Sequence, residues 1–233
     1  MTDRDTGARG VAFFDLDHTL LPIDSDVSWG EFTTRIGWTD AQDFAQRNAQ
    51  FFADYKAGRL DIHEYVRFAT DAIRARGQAA SLAAREQFMR EVIAPHIRRE
   101  ALELIDQHRR VGDALVIITA TNEFVTRPIA KAFGVAQLIA VELECDSQTG
   151  WITGAIRGVP SAREGKVARA AQWLAAQGLD FASARTAFYT DSINDQALME
   201  RVHQPVATNP DERLRALAVQ RGWPILELFE TIK

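Results

Sequence analysis

The 233 residues include a single cysteine, Cys145, so an intrachain disulfide framework is excluded and a reducing, cytoplasmic location is expected. No stretch approaches the roughly 18 consecutive apolar residues of a membrane-spanning helix, and no membrane partner is expected. Basic residues do not predominate: 27 Lys and Arg stand against 32 Asp and Glu, a net charge of -5. Sequence-independent nucleic-acid binding needs a basic footprint, so no nucleic-acid partner is expected either. The N-terminus, Met1 to Gly10, is polar and lacks an apolar h-region, which reads as a loose leader rather than a secretory signal. There is no internal repeat or low-complexity segment. The histidines, His63, His96, His108 and His203 among them, show no metal-ligand spacing.

What is present suits a globular chain with a sizeable core: 46% hydrophobic and 25% charged residues, enough for one large domain or a core carrying a smaller one. Near its start, Val11-Ala12-Phe13-Phe14 is a short apolar run that ends in Asp15 and Asp17, which predicts a buried parallel strand with two carboxylates at its end. Charges that close repel by roughly 4 kcal/mol at an effective dielectric of about 20. The pair needs a cation, a shared proton or divergent directions.

Residues 22–95 read as helices without a strand. Ile23-Asp24-Ser25-Asp26 offers N-caps, Thr39-Asp40-Ala41-Gln42 has the capping-box form, and Asp61 caps a further pattern. Phe44, Phe51, Phe52 and Tyr55 fall at helical spacing and predict a core stripe, with Gly58 as the stop. A third pattern through Leu82, Phe88, Met89, Val92 and Ile93 ends at Pro95. Beyond it, strands are predicted over 114–119, 138–141 and 186–190, and a hairpin over 141–145 and 151–156. Helices are predicted over 97–111, 123–133 with Pro128 near the first turn, 161–177, 194–202 and 210–220. This alternation predicts an α/β fold with a parallel sheet. Residues 1–21 and 96–233 would form the core, with a β-hairpin flap near 141–157, and 22–95 an inserted helical cap.

In open parallel sheets ligands collect at the carboxyl ends of strands. There the sequence places Asp15 and Asp17, then Thr119 with Ala120, then Asp191 with Asn194 and Asp195, while Lys166 lies on the helix before the last of these strands. Acids, a hydroxyl and a lysine so placed suit a metal ion and a phosphoryl group. Asp15, Asp191 and the carbonyl of Asp17 would hold Mg2+, which prefers oxygen donors and keeps waters. Asp15 would be a nucleophile forming an aspartyl-phosphate, and Asp17 a general acid and base. Thr119, backbone amides near Ala120, and Lys166 would hold phosphoryl oxygens, with Asp195 anchoring Lys166.

Asp15-Leu16-Asp17-His18-Thr19, Ile118-Thr119-Ala120-Thr121, Gly165-Lys166-Val167 and Thr190-Asp191-Ser192-Ile193-Asn194-Asp195 resemble the four ordered motifs of the haloacid dehalogenase superfamily. The likeness is to its phosphatase branch with a helical cap after the first motif, similar to phosphoserine and histidinol-phosphate phosphatases. It implies a Rossmann-like core, a Mg2+ cofactor and hydrolysis of a small phosphorylated metabolite by a monomer or homodimer. A phosphotransferase with an alcohol acceptor, or a retired phosphometabolite-binding regulator, are the alternatives. For the substrate, the resemblance points to an acid after the first motif, among Asp24, Asp26 and Glu31, and to a cap arginine, for which Arg67 is the nearest candidate. Trp29, close to the acids, is a candidate for lining a pocket for a flat group. Acids without a matched arginine tilt the reading toward histidinol phosphate over O-phosphoserine.

Overall fold

A computed structural model describes residues 10–229; the polar leader lies almost wholly outside them. Strand β1 (Gly10–Phe14) sits near the middle of a six-stranded sheet, with β2 (Ala114–Asn122) and β3 (Gln137–Val141) on one side. On its other side are β6 (Arg185–Thr190), β7 (Gln204–Thr208) and β8 (Ile225–Leu226). Every pairing in this sheet is parallel. The sheet grows outward from β1 in both directions, so β1 lies at the topological switch point. Strand period places Ala12 and Phe14 in one apolar core, with Ile105, Ile117 and Phe124, and Val11 and Phe13 in the other, with Ile118, Leu174 and Phe188. Burial on both faces is what the uninterrupted apolar run encodes.

Between β1 and the next strand come α1 (Ser25–Arg35), α2 (Ala41–Lys56), α3 (Ile62–Phe88) and α4 (Arg99–Arg110). Asp24, Asp40 and Asp61 cap the first three, each side chain accepting from two backbone amides. Asp40, rather than Thr39, is thus the cap of α2. Phe44 and Phe51 pack against Phe68, but Phe52 is 52% exposed and leaves the predicted stripe, with Lys56 over its ring. The patterns that follow Asp61 and that run through Leu82 and Phe88 both lie in α3 and meet at Gly77, whose non-helical backbone (φ 74°, ψ 175°) divides it into two helical segments at a kink. A wide turn at Met89–Ile93 and a tight one at Ala94–His96 then lead to α4.

After β2 come α5 (Glu123–Ala132), the hairpin β4 (Leu143–Cys145) and β5 (Ile152–Ile156), and α6 (Glu164–Ala176). The hairpin forms its own two-stranded sheet and packs on α3, where Gly154 (φ 87°) leaves room for Arg74. Pro128 lies inside α5, not in its first turn. Lacking an N–H, it leaves the carbonyl of Phe124 without its helical donor, and Arg85 Nη1 donates to that oxygen at 3.1 Å. The predicted helix over 161–177 starts only at Glu164, because Arg163 has φ 51° and Ser161 turns inward. The predicted helix over 194–202 shrinks to a tight turn, Ile193–Asp195, and α7 (Gln196–Met199); α8 (Glu212–Arg221) precedes β8.

Candidate active site

The register pairs Phe14 with Ile117 and with Tyr189, so β1, β2 and β6 deliver their following residues to one spot. Asp15 comes first, its amide donating to Tyr189 O at 2.9 Å. The Lys166 ammonium lies 3.0 Å from Asp15 Oδ1 and 2.6 Å from Asp195 Oδ2, and the Thr190 hydroxyl donates to the same Asp195 oxygen at 2.7 Å. Close packing sets the lysine there: a Cβ on Gly165 would fall 2.0 Å from Pro160 O, so only glycine lets the first turn of α6 pass. Asp17 is turned elsewhere. Its Oδ1 accepts from Ser25 N at 2.7 Å and its Oδ2 from the Thr121 hydroxyl at 2.9 Å. Asp191 receives the Thr19 hydroxyl at 3.2 Å on Oδ1, while its own amide donates to that hydroxyl at 3.0 Å.

Strand β2 reaches Asn122, three residues beyond its predicted end. Thr119 accepts from Thr121 N on its hydroxyl and from Ser161 on its carbonyl, at 3.1 and 2.6 Å, which fixes the backbone around Ala120. The structure therefore gathers Asp15, Asp17, Thr119, Lys166, Asp191 and Asp195 at one end of the sheet. Asn194 lies in the tight turn between Asp191 and Asp195. Thr19 and Thr121 stand inside the first two motifs without an expected role of their own, and Ser161 is expected only as the start of a helix. Thr121 was detectable in principle, since a longer strand puts it on the same face as Thr119; Ser161 carried no signal.

The charge balance is short of cations. Burial pushes Asp15 up to about 7 against the pull of Lys166, and burial together with Asp15 and Asp195 pushes Asp191 well above the carboxylate range. Burial alone would lower Lys166, but Asp15 and Asp195 outweigh it and hold the ammonium above its ordinary range. Among the described residues, no three His, Cys, Asp or Glu side chains converge as a metal cluster. A cation here would have two carboxylates, Asp15 and Asp191, a backbone oxygen and waters. Such a sparse oxygen set fits Mg2+.

The substrate candidates separate. Asp24 and Asp26 open α1, whose first amide holds Asp17. Asp26 is 6% exposed, accepts from Asn122 Nδ2 at 3.2 Å and lines a cavity of about 250 Å3 with Trp38, Phe44, Tyr65 and Phe68. Burial pushes Asp24 up to about 6 and Asp26 up to about 7, and among the described residues neither has an ion-pair partner. Trp29 corrects the expectation of a pocket-lining ring: it is 1% exposed, wedged among Phe32, Phe88 and Phe124 in the core. Glu31 and Arg67 are exposed on α1 and α3, and no hydrogen bond or ion pair ties their side chains to the motif residues.

A family model for haloacid dehalogenase-like hydrolases matches residues 12–200. The chain belongs to this family. Among hydrolases of known sequence, it is 38% identical over 219 residues to a histidinol-phosphatase of Neisseria meningitidis serogroup C (strain 8013), covering 94% of this chain and 98% of that one. It is 33% identical over 222 residues to a phosphoserine phosphatase of Mycobacterium tuberculosis (strain ATCC 25618 / H37Rv), covering 92% and 70%. A crystal structure from Bordetella pertussis Tohama I, of a protein with unknown function, superimposes with a TM-score of 0.89 at 43% identity, covering 95% of this chain and all of that one. The hydrolase fold is thus the parallel sheet with flanking helices described above.

Proposed function

We propose that this hydrolase is a Mg2+-dependent phosphomonoesterase acting on a small phosphorylated metabolite through an aspartyl-phosphate on Asp15. The observation that carries the reading is the unequal treatment of two neighbouring acids. Asp15 meets Lys166 through Oδ1 and keeps Oδ2 for attack, while Asp17 is held apart by Ser25 N and Thr121. Bound between Asp15 and Asp191, the ion would neutralise phosphoryl charge and lower the repulsion met by an anionic nucleophile.

Asp15 Oδ2 attacks phosphorus, and the ester P–O bond breaks as Asp17 gives its proton to the leaving alcohol. Water then attacks phosphorus, the P–O bond to Asp15 breaks, and Asp17 takes the water proton. Alcohol and inorganic phosphate leave, and Asp15 is restored. Thr119, the amides around Ala120 and Lys166 hold the phosphoryl oxygens meanwhile. Asp195 and Thr190 keep Lys166 aimed. Of the described residues, 22–95 act as the cap over a core formed by the others, and the reaction takes place in the cytoplasm.

For the leaving alcohol, Asp24 and Asp26 favour one that carries a cationic nitrogen. Asp26, buried, and Asp24, half-buried, have no ion-pair partner among the described residues, and acids so placed gain most from such a group. The cavity beside Asp26 also carries Asp40, Asp43 and Asp71, while its one arginine, Arg47, sits between Asp43 and Asp71. A substrate carboxylate beside Asp24 and Asp26 would meet repulsion, which supports histidinol phosphate over O-phosphoserine. The test is phosphate release with Mg2+ across phosphorylated amino acids, amino alcohols and sugars, with Asp15→Asn as blank. Release from amino-alcohol phosphates above the blank is expected; no release from any monoester overturns the reading.

A further inference from the structure

The end of α2 and Gly58 just beyond it touch three segments, two of which carry candidate catalytic residues while the third, α8, adjoins one of them. The Tyr55 hydroxyl is hydrogen-bonded to Ser192 Oγ at 2.9 Å, next to Asp191. Arg163, which leads into α6 and its Lys166, donates through Nη1 to Gly58 O at 2.6 Å. Arg213, on α8, donates to Lys56 O at 3.4 Å, and the amide of Asp211, the cap of α8, donates to Asp191 O at 2.8 Å. Two guanidinium groups thus meet the carbonyl end of α2, where the helix dipole favours positive charge. Tyr55 is the only one of these contacts that reaches inward. Burial pushes its phenol up to about 12, with Asn194 and Ser192 as hydrogen-bond partners and the carboxylates of Asp195 and Asp15 near enough to add to the shift. It therefore stays protonated throughout the working pH range.

We propose that Tyr55 is a positioning residue of the candidate active site, fixing from the cap, through Ser192, the loop that carries Asp191 and Asn194. The proposal rests on the phosphomonoesterase reading. Ser192 Oγ is the junction: it also accepts from Asn194 N at 3.3 Å and so caps the turn that leads to Asp195. A hydroxyl supplied from the cap makes the geometry of this loop depend on the cap being seated. The loop holds the acid expected to bind Mg2+ and the acid that aims Lys166. The phenol thereby couples the roof of the site to both.

The test compares Tyr55→Phe, which removes one oxygen and keeps the ring, with Ser192→Ala and the double variant. With p-nitrophenyl phosphate as probe, each single change is expected to lower kcat about tenfold, the loss typical of one well-placed hydrogen bond. The Mg2+ concentration for half-maximal activity is expected to rise several-fold, with the melting temperature of Tyr55→Phe within about 2 °C of the parent. The double variant is expected to lose no more than Ser192→Ala alone, because Ser192→Ala already removes the bond that Tyr55→Phe removes. Unchanged kcat and Mg2+ dependence in Tyr55→Phe, or additive losses, would overturn the proposal while leaving the phosphatase reading intact. If the parent releases no phosphate, the phosphatase reading fails alone, and amide exchange of residues 192–195 reads the contact without turnover. Faster exchange in Tyr55→Phe supports the coupling, and equal exchange sinks it.

Discussion

The hydroxyl of Thr121 donates to Oδ2 of Asp17 across 104 positions of chain, at 2.9 Å. With Ser25 N on the other oxygen, this bond holds the plane of Asp17 away from the Lys166 ammonium that engages Asp15. Hydrogen bonds to a charged group contribute about 1.5 to 3 kcal/mol. Thr121→Val should lower kcat by about 10- to 100-fold with little change in KM, since the hydroxyl orients the acid rather than the substrate. Steady-state kinetics on one phosphomonoester decide this; a changed KM at constant kcat would assign Thr121 to binding instead.

Asp15→Asn should abolish phosphate release and leave the fold intact. Because burial pushes Asp15 up to about 7, its charge is costly in the folded chain, and the neutral amide should not lower the melting temperature. Circular dichroism and a phosphate-release assay on the same sample check both halves.

Removal of divalent metal by a chelator should stop turnover, and Mg2+ should restore it. The same ion should raise the melting temperature of the parent, because it binds the folded cluster of Asp15 and Asp191 and not the unfolded chain. In Asp191→Asn that rise should shrink. Thermal melts across a Mg2+ titration give the answer without any substrate.

Asp26 links stability to pH. Burial pushes its carboxyl up to about 7 in the folded chain from an ordinary 3.8, so the native state binds more protons than the unfolded state between those limits. Stability should therefore fall as pH rises from about 4 to about 7, by at most on the order of 4 kcal/mol from this group. Asp24, at about 6, acts in the same direction. Asp26→Asn should flatten the dependence in urea-unfolding experiments at pH 4.5 and 7.5; an unchanged slope would remove Asp26 as its source.

Arg85→Ala should destabilise by about 1 to 3 kcal/mol, because it leaves the carbonyl of Phe124, already without its helical donor at Pro128, unpaired. Restoring the missing amide by Pro128→Ala in the same chain should recover much of the loss. Urea denaturation of the single and double variants measures the coupling.

The elements legible in the sequence were those governed by short-range rules. The apolar run before Asp15, the β-branched run before Thr119 and the Asp caps at Asp24 and Asp61 each encode their local structure, because strand burial and amide capping need only a few neighbouring residues. Where a rule depended on distant partners, the sequence was ambiguous. Pro128 is tolerated within α5 because Arg85 comes from another helix, and Trp29 is core because Phe88 and Phe124 close around it.

By itself, the sequence determined which chemical groups stand at the strand ends: two acids after β1, a threonine late in β2, a lysine on α6 and two acids after β6. Only the tertiary structure decided how they are shared out. Sheet register brings the three strand ends level, after which Lys166 goes to Asp15 and Asp195, Thr121 to Asp17, and Tyr55 to Ser192. Hydrogen bonds act over about 3 Å, and residues separated by a hundred positions come within that distance only once the sheet and the cap have been assembled.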